Sequence, residues 1–222
     1  MRKNDPSTAH TPSIMTYKHP NSVLMIFCKA PVPGQVKTRL IPELTADQAT
    51  ELHIELSMKT LQRATLSNLC PVQLWCTPTT DHSFFAASKT AYPLVLKQQQ
   101  GSDLGERMHH AFCSALVTYS HAVLMGCDCP SLTEQDLEQT LNALTQEHEV
   151  VLAPAEDGGY VLIGLNRPHP ELFDNMPWGT AQVLGQTRNR IEHYKLRHYE
   201  LSEQWDLDTP EDLERYRALP LG

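Results

Sequence analysis

The stretch VLMIFCKAPVPGQVKTRL, residues 23–40, changes character abruptly after Cys28. Residues 23–28 are uniformly apolar. So short a run without polar alternation predicts a strand covered on both faces, as in parallel sheets flanked by helices. Residues 29–42 then read as a loop, with prolines, Gly34, and the cations Lys29, Lys37 and Arg39. In open parallel sheets, ligands gather at the carboxyl ends of strands, where helix N-termini also point. A basic loop there, in a chain of formal net charge −8, suits a phosphate cradle. Arg39 is suited to bidentate contact and the lysines to point-charge contact. A solvated basic loop is the alternative. Neither GxxxxGK[ST] nor GxGxxG is present.

Outward from that stretch, strand and helix patterns alternate. Thr45 and Gln48 form a capping-box pattern, and a helix is expected from there through Leu66. Strands are expected at residues 72–76, 94–98, 121–127, 150–153, 160–165 and 196–201. Helices are expected at 105–119, from a Ser131–Glu134 capping box to 144, and at 180–194. A last helix, started by Thr209, Pro210 and Asp212, should run to about residue 219. Alternation of this kind predicts βαβ units in an α/β fold with a mostly parallel sheet. The adjacent strands within 150–165 break the alternation and predict a mixed sheet. Residues 23–222 read as one domain, and the polar, proline-bearing residues 1–22 as a disordered extension in which Met15 is a candidate start.

Composition narrows the function. Apolar residues make 41% and charged residues 20% of the 222 residues, a globular balance. The acidic charge argues against a nucleic-acid partner, which demands a basic face. No apolar stretch approaches the roughly 20 residues of a membrane span, and the start lacks a signal-peptide core. Six cysteines occur without a CxxC pair, which predicts reduced thiols in a cytoplasmic protein and argues against structural zinc. The histidines form no metal-spaced set and most are expected to face solvent. No GxSxG or HExxH occurs. The oligomeric state is open.

Four later segments carry candidate chemistry. In GCDCPSL (126–132), Asp128 follows a buried strand, where one carboxylate can hold Mg²⁺ or Mn²⁺ and leave positions for phosphate oxygens. An N-cap is the alternative role, and Ser131 already offers a cap. In APAEDGGYVLIGL (153–165), Asp157-Gly158-Gly159 reads from spacing as a hairpin turn. In WDLDTPEDL (205–213), Asp206 and Asp208 precede a helix start, so either a second metal carboxylate or a helix-dipole partner is at hand. In QGSDLGERM (100–108), Gly101 and Gly105 permit close backbone approach and Arg107 could reach a phosphate or base; an ordinary loop and first helical turn is the alternative.

Together and in order, these five segments resemble the radical-SAM/selenodomain-associated transferase 1 family of the nucleotide-diphospho-sugar transferase superfamily. The resemblance spans roughly residues 22–219. The first loop, with its KTRL, is also similar to that of the 2-phospho-L-lactate guanylyltransferases. The resemblance implies a GT-A-like, Rossmann-like three-layer αβα fold with a mixed, mostly parallel sheet. It implies that Lys29, Gly34, Lys37 and Arg39 line nucleotide phosphates, and that Gln100, Asp103, Gly105 and Arg107 lie near base or ribose. Asp128 would be the metal aspartate of a DXD-like position reduced to one acid between Cys127 and Cys129, with Asp208 as a second metal ligand. Asp157, Gly158, Gly159, Tyr160 and Trp178 would face the acceptor. The implied activity is a metal-dependent transfer from a nucleotide-activated donor to a small-molecule acceptor, with Asp128, Asp157 and Lys37 as the catalytic set. Glycosyl transfer from an NDP-sugar comes first, with Asp157 as the candidate base. Nucleotidylyl transfer from an NTP, releasing pyrophosphate, is the alternative, and a non-catalytic nucleotide-binding module is a third.

Overall fold

The structure, a computed structural model, describes residues 16–41 and 43–219. Its strands are β1 (Ser22–Lys29), β2 (Val72–Thr77), β3 (Leu94–Gln98), β4 (His121–Met125), β5 (Val150–Pro154), β6 (Tyr160–Leu165) and β7 (His198–Glu200). Its helices are α1 (Ala46–Leu66), α2 (Ser83–Ala91), α3 (Leu104–Leu116), α4 (Glu134–Thr145), α5 (Val183–His193) and α6 (Pro210–Arg217). The strands form one sheet in the order β3-β2-β1-β4-β6-β5-β7. β6 runs antiparallel to both of its neighbours, whereas the other pairings are parallel.

The apolar run at residues 23–28 explains the layering. Alternate side chains leave opposite faces of a strand. Leu24, Ile26 and Cys28 pack with Leu61 of α1 and Leu137 and Leu141 of α4. Val23 and Met25 pack with Met108 and Phe112 of α3 and Leu184 and Ile191 of α5. Both faces are therefore buried beneath helices, as the uniform hydrophobicity predicts. A smaller cluster joins Leu40 and α1 residues to Trp205, Leu207 and Leu213, and it seats the segment before α6 against the loop after β1.

Three local expectations need correction. The expected extension through residue 22 is too long, because Lys18 and His19 already donate backbone hydrogen bonds to Asn68 and Leu69 and β1 begins at Ser22. Residues 1–15, with Met15, lie outside the described residues. The cap of α4 is Thr133, in a reciprocal box with Asp136, because the Ser131 hydroxyl is engaged with both backbone polar groups of Trp205. Helix α2, capped by the His82 side chain, was not expected at all. The boxes at Thr45/Gln48 and Thr209/Asp212 form as read.

Candidate functional site

The loops following β1 and β4 meet the segment before α6 at the carboxyl end of the sheet. A backbone bond from Leu207 N–H to the Asp128 carbonyl (3.1 Å) ties two of them together. The Ser131 hydroxyl, accepting from Trp205 N–H at 3.0 Å, adds a second tie. The first loop enters through Lys37, which stands in the left-handed region at φ 48°. That rare conformation for a non-glycine residue turns its side chain inward, at a conformational cost of order 1–3 kcal/mol.

The Lys37 ammonium donates to Asp128 Oδ2 (2.9 Å), Asp208 Oδ1 (2.9 Å) and the Leu207 carbonyl (2.6 Å). An ammonium has three protons, so its donor capacity is fully used. Its side chain is only 4% exposed. Burial opposes the charge on Lys37, but Asp128 and Asp208 outweigh it and hold its pKa above the ordinary lysine range. Burial likewise opposes ionisation of Asp128, and Lys37 overcomes it, holding that carboxyl below its usual value. The other Asp128 oxygen, Oδ1, lies over Gly126, where a Cβ would stand 2.8 Å from it.

The remaining cations of the loop stay outside this clamp. Lys29 bonds to the Gln35 carbonyl. Arg39 is 69% exposed and meets Asp208 Oδ2 at only 3.5 Å. Gly34 has φ 74° with open space around it, so backbone conformation alone calls for glycine. The structure thus brings Lys37 together with Asp128 and Asp208 as an acid-binding cation, and its ammonium has no donor left for a phosphate.

Beside the clamp lies a pocket of about 220 Å³ whose lining includes Asp128, Asp157, Asp206, Gly159, Tyr160 and Trp178. Asp206 is the acid of the pair before α6 to which the resemblance assigns no role. Burial, then the charges of Asp208, Asp128 and Asp157, push its carboxyl up to about 7. Asp157 accepts from Gly159 N–H at 2.9 Å, so its segment is both the hairpin turn read from spacing and part of the pocket wall. Gly158, at φ 87°, lies so close to Ala181 that a Cβ would meet its carbonyl oxygen at 2.4 Å. Tyr160 and Trp178 meet edge-to-face at 6.4 Å.

Residues 100–107 are arranged differently. Asp103 caps α3 by accepting from Glu106 N–H, and Arg107 bonds back to the Gly101 carbonyl. A Cβ on Gly105 would lie 2.7 Å from both Trp178 Nε1 and the Phe173 carbonyl, so packing explains this glycine. Gln100 is exposed. Asp103 and Gly105 border a separate, broad depression of about 990 Å³ along α3 and α5, while Leu104 and Met108 line the acid-bordered pocket.

The donor chemistry fits a hard divalent cation. The site offers carboxylate oxygens: Asp128 and Asp208 meet Lys37, and Asp157 and Asp206 line the adjoining pocket. Magnesium needs only one or two protein carboxylates when a ligand's phosphates complete its shell. Beneath the site, Cys28, His53 and Cys127 are buried with potential ligand atoms within 4.8 Å of one another. His53 Nε2 also faces the Lys29 carbonyl at 2.9 Å. The expectation of mostly solvent-facing histidines overlooked His53 and His169, both buried. The alignment of His53 with Ala49 and Leu56 along α1 is the signal that would have placed it inside.

This fold is the α/β fold of the nucleotide-diphospho-sugar transferases. The crystal structure of a Desulfovibrio desulfuricans G20 protein, provisionally named a nucleotide-diphospho-sugar transferase, matches with a TM-score of 0.80 and 32% identity, over 90% of this chain and 87% of that one. The chain belongs to the family described as "Uncharacterized protein conserved in bacteria (DUF2064)", whose model matches residues 60–180. Two more distant structures share the fold alone. The 4-diphosphocytidyl-2C-methyl-D-erythritol synthase of Anaerococcus prevotii DSM 20548 matches with a TM-score of 0.59 and 9% identity, over 90% and 97% of the two chains. Glucosyl-3-phosphoglycerate synthase of Mycobacterium tuberculosis, in complex with Mn²⁺, UDP and glucosyl-3-phosphoglycerate, matches at 0.51 and 10%, over 94% and 81%. No curated protein matches the sequence.

Proposed function

We propose that this protein is a transferase using a nucleotide-activated donor, and that it transfers a glycosyl group from an NDP-sugar to a small-molecule acceptor. The observation that carries the reading is the Lys37 clamp, which holds Asp128 and Asp208 at the carboxyl end of the sheet beside a pocket bordered by Asp157 and Asp206. The named activity of the Desulfovibrio protein supports the same class. Membership of the radical-SAM/selenodomain-associated transferase 1 group is part of this reading, supported by the five ordered segments.

Mg²⁺ or Mn²⁺ would be held by Asp128 and Asp208, where it would neutralise the charge of a diphosphate leaving group. Lys37 holds both carboxylates in place by a hydrogen bond to each. Lys29 and Arg39, free of the clamp, would meet phosphate oxygens at the loop's outer side. Asp157, on the pocket wall, would accept the proton of an acceptor hydroxyl. With Lys37 committed to the acids, the basic loop offers two phosphate-binding cations instead of three. Two cations suit the charge of a diphosphate donor better than that of the triphosphate used in nucleotidylyl transfer. A cytoplasmic location belongs to the same reading, supported by the free cysteines. No helix among the described residues is long and apolar enough to cross a membrane.

The test is thermal shift with UDP-glucose, GDP-mannose, GTP and CTP, with and without Mg²⁺, followed by assay of NDP against pyrophosphate release over an acceptor panel. Metal-dependent stabilisation by an NDP-sugar and NDP release are expected. Pyrophosphate release would replace the reading with nucleotidylyl transfer. Binding without turnover over the whole panel would leave a non-catalytic module, and no shift with any nucleotide would end the nucleotide reading.

A further inference from the structure

Acids border only part of the pocket beside the clamp. Most of the rest of its wall is apolar and includes Phe27 near the end of β1, Leu104 and Met108 on α3, Tyr160 on β6, Trp178 and Val183. Leu104 is 43% exposed. Phe27, Tyr160 and Trp178 pack on the core yet remain partly exposed. A single exposed leucine is ordinary; several incompletely covered apolar side chains around one cavity mark a binding site. The volume of about 220 Å³ is far more than the ~30 Å³ share of one water and below the roughly 300–1,000 Å³ of drug-sized pockets. It suits a branched alkyl group or a single ring. The walls are also preset. Gly105 lets the Trp178 indole lie against α3, and the Gly158 carbonyl accepts from Leu184 N–H at 2.8 Å.

We propose that the acceptor is an amphipathic alcohol, with a branched-alkyl or single-ring aromatic body inside this pocket and its hydroxyl beside Asp128, Asp157 and Asp206. The inference rests on the transferase reading and adds the acceptor's chemical class. Asp157 and Asp206, which take no part in the proposed metal site, disfavour an anionic head, so the nucleophile is a neutral hydroxyl rather than a phosphate. A polyol in the same place would press unpaired hydroxyls against Phe27, Leu104 and Met108, a loss for each group without a partner.

Saturation-transfer NMR on the full chain, with and without UDP and Mg²⁺, tests it with 1-propanol, isobutanol, isopentanol, benzyl alcohol and 2-naphthylethanol, and with glycerol and glucose as polar probes. Affinity should rise about fourfold per added methylene up to isopentanol or benzyl alcohol, and fall for the naphthyl compound. Leu104→Asp places an acid in the first turn of α3, a position that favours one. It should leave the melting temperature near that of the wild type and weaken benzyl alcohol binding about tenfold. Glycerol binding as well as benzyl alcohol, or unchanged binding to the variant, would overturn the inference. Nucleotide-dependent stabilisation without alcohol binding would overturn it while sparing the transferase reading. Alcohol binding without any nucleotide effect would end the transferase reading and the acceptor role with it, leaving only an apolar site.

Discussion

The Lys37 clamp and the β5–β6 turn both border the pocket, but different physics holds each in place. The clamp is side-chain electrostatics: one buried ammonium, two carboxylates and a carbonyl. The turn is backbone geometry. Ala155 N–H bonds to the Gly159 carbonyl, Gly158 N–H to the Ala155 carbonyl, and Gly158 presses on Ala181. The first arrangement depends on charge state and can respond to pH or to a bound cation. The second depends mainly on chain shape, with the Asp157 carboxylate adding one bond to Gly159 N–H, so it responds less to either and keeps the apolar wall constant.

That contrast can be broken at either end. The largest effect belongs to Asp128→Asn, which should cut product formation at least on the order of 100-fold, since a metal ligand contributes several kcal/mol to transition-state charge stabilisation. Turnover like that of the wild type would remove Asp128 from the metal assignment. Lys37→Met strands two carboxylates, and urea denaturation should show a loss of about 3 kcal/mol, at the low end for a broken buried ion pair because both acids are partly exposed. Unchanged stability would mean that the clamp contributes nothing to the fold. Gly158→Ala should lower stability by about 2 kcal/mol through positive-φ strain and the clash with Ala181, equally at pH 5 and pH 8. A pH-dependent loss would show the turn to be electrostatic after all.

Asp206 supplies the pH arm. Its folded pKa of about 7 lies above the ordinary aspartate value of 3.8, so the folded state binds its proton more tightly than the unfolded state. Its contribution is fully present below about pH 4 and is lost as pH rises through 7. In the wild type, this part of the stability should decline across that window, and Asp206→Asn should abolish the decline. Equal pH profiles for the two proteins would count against the raised value. The smallest effect is expected of Arg39→Ala, below about 0.5 kcal/mol, because an exposed pair at 3.5 Å is screened by water. Lys37 and Arg39 share Asp208, so measuring both contrasts a buried, fully hydrogen-bonded cation with an exposed, loosely paired one.

Legibility in the sequence followed the range of the interaction. The uniform run at 23–28 encodes a two-faced strand locally, and the boxes at Thr45 and Thr209 need only a few neighbouring residues; these were readable. Ser131 was misread because its competitor, Trp205, lies far along the chain. The five loops were found because strand ends collect ligands, yet the partner of each charge was hidden. Nothing near Lys37 in sequence shows that Asp128 and Asp208 will take up its ammonium. Asp206 was weighed only as one of two acids before α6; its coupling to Asp128 and Asp157 exists only once β4 and the β5–β6 turn converge. The packing role of Gly105 likewise needs Trp178 in place.

Lys37 has one more consequence, for the bench chemist. Acylating and alkylating reagents attack a free amine, and this one is sealed, fully hydrogen-bonded and held in its protonated form. A lysine-labelling map of the native protein would mark Lys29, three-dimensionally the outer residue of the same loop, and pass over Lys37. The most consequential lysine in the molecule would be chemically silent until the chain unfolds.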